Sequence, residues 1–192
     1  QVKSSSGNIH SLGERRGFQF YDGPLVILVN RFSASASEIL AGAVQDYERG
    51  LILGTDTFGK GTVQRVQSLS SGQLKFTESK FYRVSGKSTQ NKGISPDIYL
   101  PSPVDIEEFG ESKLPGALQY DFISGTKVRD FNRLNSSKEL LSIEHQARAK
   151  DSILFKHYET LKSWRRSQNE DKFFDLDIEK RRIKKEKAEF EL

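Results

Sequence analysis

The sequence predicts an α/β core followed by a helical region. Two observations carry that prediction. An apolar run, an amphipathic stretch and a second apolar run follow one another across residues 23–54, as "GPLVILVN", "SASASEILAGAVQDYERG" and "LILG". Beyond about residue 103 the texture changes to charged segments with helical periodicity. Strand, helix, strand in that order is a parallel βαβ unit, closed by a crossover helix.

Residues 1–22 are polar and contain Gly and Ser, which marks a loop or hairpin leading into the core. "GPLVILVN" is short, continuous and β-branched, with Pro24 at its entry, the pattern of a buried strand. In the next segment Ile39, Leu40, Ala43, Val44 and Tyr47 recur at helical spacing, and Gly50 is a natural stop. "LILG" is the second strand. "TVQRVQSL" and "LKFTESKFYRVSG" are extended, with "SSGQ" between them as a hairpin turn. "GKSTQNKGISPDIYLP" reads as a loop ending in a short strand, bracketed by Pro96 and Pro101. "SSKELLSIEHQARAK" and "SILFKHYETLKSWRR" are amphipathic helices, and "DLDIEKRRIKKEKAEFEL" is a third, highly charged one. The expected division is a lead-in at 1–22, a core at 23–103 and a helical region at 104–192.

Composition narrows the function classes. The 192 residues are 35% hydrophobic, with a mean hydropathy of -0.61. The longest apolar run, residues 25–29, falls far short of the roughly 20 residues that span a bilayer. The net charge of +4 comes from 30 Lys+Arg interleaved with 26 Asp+Glu. That pattern describes a solvated helix face rather than a phosphate-binding stripe, so no nucleic-acid partner is expected. The absence of Cys excludes disulfides, thiolate metal sites and a cysteine nucleophile, and it suits either cytosol or periplasm. His145 and His157 fall in predicted helices with no carboxylate at ligand spacing, and His10 stands alone, so no metal or cofactor is expected. Trp164 and the Phe173–Phe174 pair read as helix-packing anchors. The chain opens at Gln1, contains no Met and shows no signal peptide. It is therefore expected to be an internal piece of a longer protein.

The stretch "GTDTFGKGTVQ", residues 54–64, admits three readings. A phosphate-binding loop needs G-x-x-x-x-G-K-[ST]. Gly54, Gly59 and Lys60 fit, but Gly61 stands where the magnesium-binding hydroxyl belongs, and Thr62 comes one residue late. A second reading is a plain glycine turn with a surface lysine. The third makes Lys60 a general base for a serine, which requires desolvation to make its neutral form accessible.

Upstream, Ser33, Ser35 and Ser37 lie between the first strand and the helix. A hydroxyl there sits at the sheet's C-terminal rim, and the amides at the helix start are placed to stabilise an oxyanion. If Lys60 leads into a strand, then Lys60, Thr62 and Gln64 share a face, and Gln64 is able to orient the amine. Helix capping competes as an explanation, because Ser35 and Glu38 form S-x-x-E. Spacing alone does not choose among the three serines.

Taken together, "GPLVILVNRFSASASEILAGAVQDYERGLILGTDTFGKGTVQ" and "KFYRVSGKSTQNKGISPDIYLP" resemble the C-terminal processing, or tail-specific, proteases of peptidase family S41. The resemblance is strong over residues 23–101 and continues weakly into the helical region. It implies the second half of a crotonase/ClpP-like core. It also implies a Ser-Lys dyad with Ser35 as nucleophile, Lys60 as general base, Gln64 as the assisting amide and the Ala36 N–H in the oxyanion hole. Substrates would be proteins or peptides with unstructured, apolar C-termini, cleaved by an exported, periplasmic enzyme. In the family a PDZ domain and an upstream catalytic half, with a glycine giving the second oxyanion N–H, complete the protease. Residues 1–22 are too short to hold these, so the chain is expected to be inactive alone. A non-catalytic peptide-binding module and an acyl-transfer or hydratase enzyme are the rival readings.

Overall fold

The chain is described from a computed structural model, in which residues 1–11, 13, 21–126, 135–170, 173 and 175–190 are placed. Strands β1 (Val2–Ser4), β2 (Ile9–His10), β3 (Val26–Val29) and β4 (Leu51–Gly54) precede the long β5 (Thr62–Ser68) and β6 (Gln73–Phe81) and the short β7 (Ile98–Tyr99). Helix α1 (Ala36–Asp46) joins β3 to β4, and α2 (Asn135–Asp151), α3 (Ile153–Glu170) and α4 (Ile178–Phe190) follow.

The expected βαβ unit is present. β3 and β4 pair in parallel from Val26↔Leu51 to Val29↔Gly54, and β7 adds to the other side of β4. The second sheet is antiparallel, ordered β2-β1-β6-β5. Its main feature is the predicted hairpin, whose turn is closed by the Leu69 N–H donating to the Gly72 carbonyl at 3.1 Å. Residues 2–10 form a smaller hairpin that pairs with β6 through Val2↔Phe81.

The core lies between the parallel sheet and α1, where Val29, Ala41, Val44, Ile52 and Ile94 pack together. Two expectations change here. β3 is the outer strand of its sheet, so Val26 and Leu28 are exposed rather than buried on both faces. On α1 the buried stripe is Glu38, Ala41, Gly42 and Val44, whereas Ile39 and Leu40 point outward. The small residues let the helix approach closely: a Cβ on Gly42 would stand 3.1 Å from Ile94 Cδ1. Residues 88–94 follow a loop path, yet Thr89, Gln90 and Ile94 within it are all at 0% exposure.

Among the described residues, no helix is long and apolar enough to cross a membrane.

Candidate active site

The turn from β3 into α1 carries the three serines, and each is used differently. Ser33 Oγ accepts a hydrogen bond from the Asn30 N–H at 3.1 Å. Ser37 Oγ donates to the Ala34 carbonyl at 2.9 Å. Ser35, at the helix N-cap, has φ 56 and ψ −111. A non-glycine residue in such a region costs on the order of 1–3 kcal/mol and persists only where the surroundings enforce it. A strained serine on a sharp strand-to-helix turn is also how other hydrolase folds expose a nucleophile.

Glu38 enforces that conformation. Its side chain is fully buried, and its carboxylate accepts four hydrogen bonds. Oε2 takes the main-chain N–H of Ser35 at 2.8 Å and of Lys60 at 2.9 Å. Oε1 takes the Gly59 N–H at 2.7 Å and the Thr57 hydroxyl at 2.5 Å. The Glu38 half of the capping box is therefore formed. The Glu38 amide donates to the Ser35 carbonyl oxygen at 2.9 Å. Burial pushes the Glu38 carboxyl above its ordinary value of 4.5, while the bonds from Thr57, Gly59, Ser35 and Lys60 pull it back down. Glu38 thus serves the helix N-terminus and binds the lysine loop at the same time. The sequence signal for Glu38 was that motif. Its reach to Lys60, 22 residues away, was not visible from spacing.

The glycine-rich loop is shaped by close contacts. Gly54 has φ 133, and a Cβ there would meet the Val29 carbonyl oxygen at 1.7 Å. Gly59 has φ 93 and faces the Asn91 backbone, and a Cβ on Gly61 would stand 2.7 Å from the Gln90 nitrogen. The amides that a phosphate loop would offer to a ligand are already occupied. Gly59 and Lys60 donate to Glu38, and Gly61 donates to Gln90 Oε1 at 2.9 Å. The residue pattern fails at the metal position and the loop geometry fails at the phosphate position.

Lys60 is half-buried, and its side chain makes no hydrogen bond or ion pair with a described residue. Ser35 is half-buried as well, and the Ala36 N–H, the first of α1, is unused among the described residues. Gln64 stands apart: it is exposed on β5, and its amide makes no hydrogen bond to Lys60. The expected shared face assumed strand geometry from Lys60 onward. β5 begins only at Thr62, and a register shift between Val63 and Gln64 interrupts the alternation.

The remaining candidates lie elsewhere. His10 is exposed on β2. His145 Nε2 lies 3.0 Å from the Tyr99 carbonyl oxygen, and its ring packs 5.6 Å from that of Phe155. The His157 ring lies 6.3 Å from Tyr158. No three His, Asp or Glu side chains among the described residues gather as metal ligands. Trp164 lines a cleft with Phe32 and Phe109, in keeping with a packing role. Phe173, by contrast, is 86% exposed between α3 and α4, against the expectation of a packing anchor. Phe174 lies outside the described residues.

Comparison with known proteins matches residues 2–100 to peptidase family S41 and residues 104–192 to the C-terminal domain of tail specific protease (DUF3340). The tail-specific protease of Haemophilus influenzae is 40% identical over 97% of this chain and 29% of its own length. A carboxy-terminal-processing protease of Bartonella bacilliformis is 44% identical over 50% of this chain and 24% of its own. A solved structure, of a photosystem II D1 C-terminal processing protease, is 48% identical over 44% of this chain and 23% of its own, with a TM-score of 0.37. The chain thus spans less than a third of the length of these proteins. With the family model matching residues 2–100, more than half of its length, this chain belongs to peptidase family S41.

Proposed function

We propose that the chain carries the catalytic dyad of a serine endopeptidase that trims or degrades proteins from near their C-termini. The observation that carries this reading is the Glu38 carboxylate, whose Oε2 binds the main-chain N–H groups of both the strained Ser35 and Lys60. Ser35 Oγ attacks the scissile carbonyl, and the Lys60 amine takes its proton and later gives it to the leaving amine. The oxyanion rests on the Ala36 N–H at the start of α1. Gln64 is the assisting amide that the family resemblance implies, although it makes no hydrogen bond to Lys60 here. No metal or nucleotide enters these steps.

The substrates are unstructured chains with apolar C-termini, met in the periplasm, and this part of the reading rests on the family resemblance alone. The test incubates the full-length protein, and its Ser35→Ala and Lys60→Ala variants, with an unstructured apolar-tailed protein, and the products are read by mass spectrometry. Cleavage by the parent alone supports the reading. Cleavage that survives in Ser35→Ala removes it. Binding without cleavage in the parent selects the non-catalytic alternative, which the open outer edge of β5 favours. The 192-residue chain alone is expected to be inactive. It offers the Ala36 donor, and loss of one oxyanion donor costs about 10²–10³ in rate. Measurable cleavage by the chain alone that disappears in Ser35→Ala would refute that expectation.

A further inference from the structure

Arg31 is an arginine in an unusual place. It lies two residues past the end of β3, is 7% exposed and forms no ion pair with a described residue. Its guanidinium is spent on main-chain carbonyls instead. Nε donates to the Phe109 carbonyl at 2.6 Å, and Nη1 donates to the Thr57 carbonyl. One planar group therefore joins the serine loop, the lysine loop and a strap at residues 101–111. A guanidinium suits this task because its donors are fixed in one rigid fork.

The strap is shaped to receive it. Gly110 has φ 135, and a Cβ there would lie 2.2 Å from Arg31 Nη2. The Phe32 and Phe109 rings meet at 5.8 Å beside the same junction. The strap returns to the lysine loop through the Glu111 N–H, which donates to the Phe58 carbonyl at 3.0 Å. The Gln90 amide, which holds Gly61, donates to Glu111 Oε1 at 3.2 Å. On its other side the strap is bound to the helical region. Arg166 of α3 pairs with the buried Asp105 at 3.1 Å, and Arg165 donates to the Pro103 carbonyl at 3.4 Å.

We infer that Arg31 is a positioning residue through which the strap, and α3 behind it, set the geometry between Ser35 and Lys60. The physical route is short. Arg31 fixes the Thr57 carbonyl, the Thr57 hydroxyl donates to Glu38, and Glu38 holds the amides of Ser35 and Lys60. The helical region then contributes to turnover without touching substrate. This inference rests on the reading of Ser35 and Lys60 as the dyad.

The test compares Arg31→Lys, Gly110→Ala and Arg49→Gln in the full-length protein, with Ser35→Ala in parallel. Lysine keeps the charge but loses the fork. Gly110→Ala keeps the guanidinium and disturbs the junction from the strap side. Arg49→Gln is the structural control, because Arg49 also donates to two main-chain carbonyls, those of Gly23 and Tyr21, away from the catalytic loops. Steady-state kcat and KM are measured below each variant's unfolding temperature. The expected result is a kcat lower by about 10- to 100-fold in Arg31→Lys and Gly110→Ala, with KM within about twofold, as for a small misplacement of reacting groups. Arg49→Gln is expected to keep kcat even where its unfolding temperature drops as far. Unchanged kcat in Arg31→Lys and Gly110→Ala, or an equal fall in Arg49→Gln, overturns the inference. Cleavage that persists in Ser35→Ala overturns the dyad reading and this inference with it. A dead Ser35→Ala beside an unaffected Arg31→Lys overturns only the inference.

Discussion

Ser35 and Lys60 are tied together through a single oxygen atom. The main-chain N–H groups of both donate to Glu38 Oε2, at 2.8 and 2.9 Å. The two loops that carry the proposed nucleophile and base therefore do not drift independently. A buried carboxylate is costly unless its lone pairs are filled, and here four donors fill them.

Replacement of Lys60 by Arg is expected to abolish cleavage as completely as replacement by Ala, because a guanidinium stays protonated and cannot act as a base. A lysine that merely paired with an anion would tolerate Arg. Initial rates of the two variants beside the parent check the point. An active Arg variant argues against the base.

Glu38→Gln separates geometry from stability. Burial holds the Glu38 carboxyl above its ordinary value, so the folded protein binds this proton more tightly than the unfolded chain. Stability from this site is then highest below the ordinary glutamate range and is lost as pH rises through the raised value. Denaturant midpoints of Glu38→Gln should lack that component of the fall. Activity should behave differently, because the new amide turns donors toward the N–H groups that the carboxylate accepts. A buried mismatch of about 1–3 kcal/mol lowers kcat by about 10- to 100-fold. A Gln variant with parental kcat would show that the clamp is not needed for turnover.

Two glycines with positive φ should respond unequally to alanine. At Gly54 the new Cβ falls 1.7 Å from the Val29 carbonyl oxygen, between paired strands, whereas at Gly72 nothing lies within 4 Å. Gly72→Ala is expected to cost only the left-handed strain, about 1–2 kcal/mol. Gly54→Ala should lose more than about 3 kcal/mol, since backbone must move as well. Urea midpoints of the two variants decide it, and equal losses would contradict the close approach.

What was legible in the sequence follows from where the information is local. The βαβ unit and the β5–β6 hairpin were readable because apolar runs and turn residues are contiguous. The exposure of Ile39 and Leu40 was not, since helical spacing does not reveal that small residues at Ala41 and Gly42 face the sheet. Residues 88–94 looked like a surface loop because they are polar. Gln90 is buried within it because its side chain satisfies an amide of the glycine loop. Within the site, only the family resemblance singled out Ser35 and Lys60, while the contacts of Glu38 with Lys60 and of Arg31 with Phe109 join residues 22 and 78 positions apart.

The central claim is that, of three neighbouring serines, Ser35 performs the chemistry with Lys60 as its base. The most direct measurement is turnover of an unstructured, apolar-tailed protein by full-length Ser33→Ala, Ser35→Ala, Ser37→Ala and Lys60→Ala, followed on gels under identical conditions. The expected result is no detectable cleavage with Ser35→Ala and Lys60→Ala, and substantial cleavage with Ser33→Ala and Ser37→Ala, whose hydroxyls serve only local turns. Cleavage retained by Ser35→Ala, or lost equally in Ser33→Ala, would contradict it.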